Sequence, residues 1–221
     1  MLFYDDNYLT SCDTVVTGTK NINDITYVSL KDTIFYAQGG GQKSDRGTLL
    51  SEGNTFRLIR SVKGENGEVL LQVECDDPAS LVNKDVHCEL DWSFRYKQMK
   101  LHTALHILHC VMEEQKGETL VYPMLSTIEE DSAVNKYKNA AVSGIDFAAV
   151  EQRMNELFST DTQVITYADS ENPLYRYWKC MDWMIPCGGI HVHSLKEIGR
   201  IHLHTHTKKG NMSIQVFLDE Q

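Results

Sequence analysis

Residues 91–117 read DWSFRYKQMKLHTALHILHCVMEEQKG, and this stretch decides the fold class. Its apolar side chains recur at steps of three or four residues: Phe94, Leu101, Leu105, Leu108 and Met112. This spacing predicts an α-helix with one buried face. Asp91 is of a type that caps helix N-termini and Gly117 of the type that ends helices, so we predict a helix over 92–116.

Short apolar runs interrupted by glycine, asparagine and aspartate fill the chain before this helix. Five of them predict β-strands: TYVSL (26–30), GTLL (47–50), TFRLIRSV (55–62), EVLLQVEC (68–75) and VHCEL (86–90). Short strands at near-regular spacing are typical of small barrels and sandwiches. We therefore expect an N-terminal β-barrel-like domain in residues 1–90, which also contains the glycine run of FYAQGGGQ (35–42). Taken alone, that run predicts only a hairpin loop.

The chain after the long helix mixes predicted strands with one further helix, over 147–158. The predicted strands are TLVYPMLSTIEE (119–130), NAAVSGIDF (139–147), TQVITYA (162–168), GRIHLHTHT (199–207) and SIQVFLD (213–219). KKGN joins the last two as a hairpin, whereas ENPLYRYWK (171–179) predicts a loop or short helix. The expected fold is α+β: the small barrel, then an α/β two-layer domain over 91–221 with a mainly antiparallel sheet.

Composition limits the classes of protein to which this chain can belong. Apolar residues make up 42% of its 221 residues, enough for a real core. No apolar run approaches the roughly 18 residues that span a bilayer, and the acidic N-terminus lacks the order of a signal peptide. With six scattered cysteines, we expect a cytoplasmic protein with free thiols. The net charge of −10 argues against nucleic-acid binding through a broad basic surface.

Two pairs of potential metal ligands are far apart in the sequence. His102 and His106 are four residues apart in the predicted helix, so they share one face with Cβ atoms about 6 Å apart. Cys187 and His191 lie in CGGIHVHSLKEIG (187–199), where glycines allow a tight turn. Imidazole and thiolate suit zinc in a tetrahedral shell, so the pairs together predict a His₃Cys site for Zn²⁺.

Each pair taken alone also fits a plainer interpretation, in which the histidines are structural. HTALH is not the metalloprotease pattern, because no glutamate follows the first histidine. A second candidate is the row His202, His204 and His206, which alternates along a predicted strand and could bind metal. We expect this row instead to form the solvent-facing side of the strand, and His109 and His193 to be neighbours of the site rather than ligands.

Three segments in the same order resemble the editing domain of alanyl-tRNA synthetases, and in particular the freestanding AlaX proteins. They are FYAQGGGQKSDRGT (35–48), HTALH (102–106) and CGGIHVHSLKEIG (187–199). The presence of the N-terminal barrel makes the chain similar to the medium-length form of that family. The resemblance implies the same four zinc ligands, and nothing in the chain resembles the ATP-using aminoacylation domain. One departure is Ile190, where the family usually has threonine.

The resemblance implies a trans-editing hydrolase that deacylates mischarged tRNA(Ala). The expected substrate is Ser-tRNA(Ala) or Gly-tRNA(Ala), cleaved at the 3′ ester, without ATP. Gln42, with Gly40 and Gly41, would face the editing pocket, and Ser126 and Thr127 are candidates to hydrogen-bond the hydroxyl group of serine. Two alternatives remain, which are editing of another mischarged tRNA such as Ser-tRNA(Thr) and a non-catalytic, zinc-stabilised tRNA-binding module.

Binding of tRNA by an acidic chain requires local concentrations of positive charge. Arg95, Lys97 and Lys100 precede the histidines of the long helix, and Lys208 and Lys209 occupy the tip of the last hairpin. We predict that these five residues contact tRNA. So few phosphate contacts would give weak, salt-sensitive binding.

Overall fold

The computed structural model describes residues 1–173 and 175–219, and within them it shows an α+β protein, as predicted. The chain divides into two compact units. The first comprises residues 1–39 and 43–95, and the second comprises residues 40–42 and 96–221. The middle of the glycine-rich segment therefore belongs to the second unit, together with the predicted metal ligands.

Six antiparallel strands close the first unit into a barrel. They are β1 (Ser11–Ile22), β2 (Ile25–Leu30), β3 (Gly47–Ser51), β4 (Asn54–Lys63), β5 (Val69–Val73) and β6 (Asp85–Leu90). Their order is β1-β2-β5-β4-β3-β6, and every neighbouring pair is antiparallel. The five predicted strands are confirmed. The sequence prediction missed β1, the longest strand.

A buried ion pair anchors the end of the first unit. The side chain of Arg95 is fully buried. Its Nε donates to Oδ1 of Asp45 at 2.7 Å, and its Nη2 donates to the other carboxylate oxygen. The remaining guanidinium donors bond the backbone oxygens of Asn7, at 3.0 Å, and Ile34, at 2.7 Å. Every branch of this guanidinium therefore has a partner inside the barrel unit.

The long helix α1 spans Trp92–Lys116, as its apolar spacing predicted. Oδ1 of Asp91 accepts a hydrogen bond from the backbone N–H of Phe94 at 3.1 Å and so caps the helix. Gly117 follows at φ +69°, the left-handed conformation that ends helices. The second helix, α2, spans Phe147–Phe158, also as predicted, and Asp146 caps it.

Two antiparallel sheets complete the second unit. The strands are β7 (Leu125–Ile128), β8 (Ser132–Lys138), β9 (Val164–Ala168), β10 (Arg176–Cys180), β11 (Trp183–Pro186), β12 (Ile201–Lys208) and β13 (Asn211–Leu218). The four-stranded sheet has the order β12-β13-β8-β7, and the three-stranded sheet the order β11-β10-β9. Helix α1 packs on the buried face of the larger sheet, where the amide of Asn135 donates to the carbonyl of Leu105 at 3.2 Å.

Two sequence predictions in this unit are wrong. Residues 139–147 were expected to form a strand, but Asn139–Val142 is a single 3₁₀ turn and the strand is the preceding β8. Residues 171–179 were expected to be a loop or short helix, but their end begins β10, which buries Trp178. The last hairpin, β12–β13, is confirmed. None of the helices described is both long and apolar enough to cross a membrane.

Candidate metal centre

Four side chains from two distant segments meet in the second unit. His102, His106, Cys187 and His191 each offer one ligand atom, and these atoms all lie within 4.8 Å of one another. The Cys187 sulfur lies 3.6 Å from Nε2 of His102 and 3.4 Å from Nε2 of His191. The structure therefore brings together the four residues that the sequence spacing predicts to be metal ligands.

Glycine at position 189 permits this close approach. A Cβ added to Gly189 would lie 2.2 Å from Cε1 and 2.6 Å from Nδ1 of His102, well inside van der Waals contact. The backbone N–H of Gly189 also donates to the sulfur of Cys187 at 3.3 Å. The turn after Cys187 can therefore lie against the ring of His102 only where the residue has no side chain.

Hydrogen bonds fix the orientation of two of the imidazoles. Nδ1 of His102 lies 3.0 Å from Oε1 of Gln42, which can only accept, so this ring nitrogen carries the proton. The hydroxyl of Thr103 donates to the carbonyl of Met99 at 2.9 Å, and its oxygen therefore accepts from Nδ1 of His191 at 3.1 Å. Both rings consequently direct the lone pair of Nε2 toward Cys187, as metal-binding histidines do.

Burial keeps these histidines neutral. It lowers the pKa of His102 to about 4, and it holds the pKa values of His106 and His191 well below the usual range. The ring of Trp178 packs edge-on against His106, with centroids 4.9 Å apart. A neutral imidazole retains the lone pair that a metal needs, so the electrostatics of the site favour metal binding.

The donor set and its spacing fit a zinc ion. Two ligands at ordinary Zn–S and Zn–N bond lengths lie about 3.6 Å apart in a tetrahedral shell. The two sulfur–nitrogen distances at Cys187, 3.6 and 3.4 Å, agree with that edge. In addition, Nδ1 of His106 is buried and has no hydrogen-bond partner in the described part of the chain, which is unusual for a polar atom outside a ligand site.

The glycine-rich segment lies beside this centre. Gly41 has φ +83°, its carbonyl accepts from the N–H of Ile128 at 2.9 Å, and a Cβ on it would lie 2.4 Å from the carbonyl oxygen of Ser126. Gln42, next in sequence, is buried and contacts His102. Two of the three glycine-motif candidates are thus tied directly to β7 or to the metal cluster. Gly40 is the neighbouring turn residue, at φ +59°.

The two hydroxyl candidates on β7 have different surroundings. The hydroxyl of Ser126 donates to Oδ1 of Asn135 at 2.6 Å, on the sheet face that α1 covers. Side chains alternate along a strand, so Thr127 belongs to the opposite face of this sheet. The geometry therefore favours Ser126 over Thr127 as a neighbour of the metal cluster.

The five residues predicted to contact tRNA are in very different environments. The prediction for Arg95 is wrong, because its guanidinium is buried and fully committed to Asp45 and backbone carbonyls. Lys97 pairs with Asp131 at 2.7 Å, and Lys100 lies over the ring of Tyr96. Lys208 and Lys209 are exposed at the turn between β12 and β13. The four lysines stay predictions.

The histidine row of β12 has the environment that the sequence predicted. His202, His204 and His206 are exposed and lie outside the metal cluster, whereas Ile201 on the opposite side is buried. His109 is hydrogen-bonded to Tyr137, at 2.9 Å. Sequence reasoning missed Thr103, Asn135 and the steric role of Gly189. The one sequence signal for these supporting residues was the hydroxyl residue Thr103, directly after His102.

Comparison with known proteins gives a consistent result. The sequence model of the family tRNA synthetases class II (A) matches residues 8–94. The chain is 33% identical over 211 residues to the alanyl-tRNA editing protein AlaX-M of Pyrococcus horikoshii. It is 28% identical to AlaX-L of the same organism and 28% identical to the alanine–tRNA ligase of Oceanobacillus iheyensis. These matches cover 90%, 95% and 81% of this chain and 88%, 55% and 22% of the relatives.

Proposed function

This chain belongs to the AlaX family of alanyl-tRNA editing proteins, and on that premise we propose that it deacylates mischarged Ser-tRNA(Ala) by hydrolysing the 3′ ester. The reaction requires water and no ATP. We propose Gly-tRNA(Ala) as a further substrate to be tested. The observation that carries the proposal is the convergence of three histidines and a cysteine beside Gln42, within one compact unit.

We propose zinc as the cofactor, held by His102, His106, Cys187 and His191. When bound, the ion supplies a fixed positive charge that can orient or polarise polar groups of the aminoacyl ester. Four protein ligands complete a tetrahedral shell, which is typical of zinc sites that organise a structure. The rest of the pocket chemistry therefore has to come from the side chains around the cluster.

Gln42 is placed to contribute to that chemistry. Its Oε1 accepts hydrogen bonds from Nδ1 of His102 and from the N–H of Ile190, at 3.0 and 3.4 Å. The amide nitrogen at the other end is buried and has no hydrogen-bond partner among the described residues. Its N–H donors can therefore bind an acyl oxygen, and such a preorganised donor stabilises negative charge that develops during ester hydrolysis.

Ser126 has the hydrogen-bonding polarity that recognition of serine requires. Its hydroxyl proton is committed to Oδ1 of Asn135, whose amide orientation is fixed by donation to the carbonyl of Leu105. The oxygen of Ser126 is therefore left as an acceptor for a substrate hydroxyl. A site built to bond a hydroxyl can reject an analogue that lacks it by roughly 10⁴–10⁵-fold. Alanine is such an analogue of serine.

The proposal is tested by deacylation assays with purified, zinc-loaded protein. The substrates are Ser-tRNA(Ala), Gly-tRNA(Ala), Ala-tRNA(Ala) and Ser-tRNA(Thr), and we expect rapid hydrolysis of the first and none of the third. Preferential hydrolysis of Ser-tRNA(Thr) would replace the substrate assignment. Absence of hydrolysis with every substrate, despite tRNA binding, would leave a binding module and refute the enzymatic proposal.

Two variants separate the roles of metal and pocket. Cys187→Ala should lose both bound zinc and activity, because it removes one of the four ligands. Ser126→Ala should retain zinc but lose selectivity for serine over alanine, because the acceptor oxygen is gone. A Cys187→Ala protein with full zinc content and full activity would refute the ligand assignment.

A further inference from the structure

The outer face of the four-stranded sheet collects lysines from three segments of the second unit. Lys208 of β12 pairs with Asn211 of β13, which pairs in turn with Lys138 of β8. Directly paired residues project to the same side of a sheet, so both lysines share one face. Two residues along, a second row on this face contains His206, Ser213 and Lys136.

We call this surface the lysine face and define it as Lys136, Lys138, Lys208 and the turn residue Lys209. Rows two residues apart are about 7 Å apart along a strand, and Lys208 and Lys138 are separated by two strand spacings, about 10 Å. Lys138, Lys208 and Lys209 are exposed, and Lys136 is half-buried. The four ammonium groups thus occupy one small area at one end of the sheet.

These lysines are not neutralised by any residue that the structure describes. None of the four has an ion pair or side-chain hydrogen bond within residues 1–173 and 175–219. No residue of the four strands on this face is acidic. A carboxylate, that of Asp219 directly after β13, lies 3.1 Å from Nδ1 of His202, at the end of the face away from the lysines. Lys97, in contrast, is paired with Asp131 at 2.7 Å. In a chain with net charge −10, such a surface indicates an anionic partner.

The other end of the same face offers an aromatic platform. His202 and Phe217 are directly paired across β12 and β13. Their rings are stacked, with centroids 4.9 Å apart and planes inclined by 4°. Aromatic rings and lysines on one open sheet face, here about 20 Å apart along β12, form the usual combination for RNA, because rings stack on bases while lysines bind phosphates. A purely anionic surface such as a lipid bilayer would make no use of the rings.

We propose that the lysine face, together with the His202–Phe217 platform, is the surface that binds the RNA of the substrate. This inference rests on the proposed function, because it assigns the binding surface of the same tRNA. It adds Lys136 and Lys138 to the two lysines of the hairpin turn. With four phosphate contacts, log Kd should change with log salt concentration by about 3, at roughly 0.7–0.9 for each contact.

The experiment compares two substrates in one triple variant, Lys136→Gln, Lys138→Gln and Lys208→Gln. One substrate is Ser-tRNA(Ala), and the other is 3′-O-seryladenosine, which has the ester but none of the tRNA backbone. We expect the KM for the tRNA to rise about tenfold or more, with kcat unchanged. Hydrolysis of the small ester should be unaffected, and the salt dependence should fall by about two phosphate contacts or more.

A control variant changes Lys31, Lys84 and Lys179 to glutamine, which removes the same charge at sites of similar exposure on other surfaces. Of these three lysines, Lys84 is ion-paired with Glu52. The control variant should keep the KM of the unchanged protein. An equal rise in the KM of both variants would overturn the inference, since net charge alone would then explain the effect. An unchanged KM and salt slope in the test variant would overturn it as well.

The outcomes also separate this inference from the proposed function. If the unchanged protein hydrolyses neither substrate, the proposed function fails, and the lysine face is then judged from the Kd for uncharged tRNA(Ala) alone. If the test variant loses binding to phosphatidylserine vesicles but keeps its Kd for tRNA, the partner is a membrane surface and the inference is wrong. A thermal melt confirms that each variant is folded.

Discussion

Single hydrogen-bonding residues decide whether the four ligands can act together. Thr103 follows His102 directly in the sequence, yet its hydroxyl serves His191, which is 88 positions further along the chain. Because its own proton is committed to Met99, it accepts from Nδ1 of that ring, so the lone pair of Nε2 faces the sulfur of Cys187. Residues that orient metal-binding histidines in this way often influence affinity nearly as much as the ligands do.

Replacing Thr103 by valine should weaken zinc binding about 10–100-fold while preserving the shape of the core. The variant loses the oxygen that accepts from His191, so the ring can rotate or adopt the wrong tautomer. Zinc affinity is measured by competition with a chromophoric chelator. Thr103→Ser is the matched control, because it keeps the hydroxyl and should bind zinc within a few-fold of the unchanged protein. Equal affinities for all three proteins would contradict the assignment.

The cluster also requires glycine at position 189, because a side chain there would collide with the ring of His102. An added methyl group would lie 2.2 Å from Cε1 of His102, so Gly189→Ala should displace the ring and reduce both zinc content and deacylation strongly. Gly18 is the control, since an added Cβ there meets nothing within 4 Å and Gly18→Ala should keep full metal content. Stoichiometric zinc in the Gly189→Ala protein would show that the loop can move aside.

At the residue scale the sequence predicted which four side chains cluster, but not the residues that support them. The four-residue spacing of HTALH and of CGGIH is visible in the chain, because ligand pairs in a turn or helix must be local. The contacts of Thr103 and Asn135 join positions 88 and 30 residues away, and no local pattern encodes them. Arg95 shows a different kind of error. Because Lys97 and Lys100 are near it in the sequence, it was predicted to be a surface charge that contacts tRNA, but its side chain is buried.

At the scale of elements, periodic and well-capped segments were predicted and weakly patterned ones were not. Both helices have the predicted bounds, because their apolar spacing and caps are local signals. Strand β1 was missed because SCDTVVTGTKNI is rich in threonine and polar residues and buries few of its side chains fully. The strand predicted over 139–147 was wrong because Ala-Ala and Ser-Gly there are compatible with turns as well as strands.

The buried ion pair between Arg95, in the first turn of α1, and Asp45 leads to a prediction at the scale of elements. Removing one partner of a buried ion pair leaves an uncompensated charge and costs about 3–5 kcal/mol. Arg95→Met should therefore lower the free energy of unfolding by that amount in urea denaturation. The double variant Arg95→Met with Asp45→Asn should recover much of the loss, because no charge remains buried. A single variant as stable as the unchanged protein would refute the structural role.

At the scale of the whole molecule, the net charge is negative, but positive charge is concentrated on one surface. The net charge of −10 coexists with a lysine face on which no strand residue is acidic. Composition alone argued against a broad basic surface, and it could not show where individual lysines gather. These lysines lie close together because of the register of β8, β12 and β13, which only the folded sheet defines. In the proposed role of this face, a small basic area on an acidic protein would favour one orientation of the tRNA over nonspecific binding.

The three histidines of the metal cluster make the stability of the metal-free protein strongly dependent on pH. Burial lowers the pKa of His102 to about 4 and those of His106 and His191 well below their usual range, whereas in the unfolded chain each has a pKa of about 6.5. Below that value the unfolded chain binds protons that the folded protein excludes. Their stabilising contribution is therefore complete above about pH 6.5 and is lost as the pH falls toward 4.

We expect the chelator-treated protein to lose unfolding free energy as the pH falls below 6.5, with a slope that rises toward about 4 kcal/mol per pH unit, or about 1.4 kcal/mol for each histidine. Since domains have only about 5–15 kcal/mol in total, it should unfold near pH 5. Urea denaturation at pH 7.5, 6.5 and 5.5 measures the slope. His106→Leu removes one titrating group and should reduce the slope by about a third, whereas an unaltered slope would mean that His106 becomes protonated without unfolding the site.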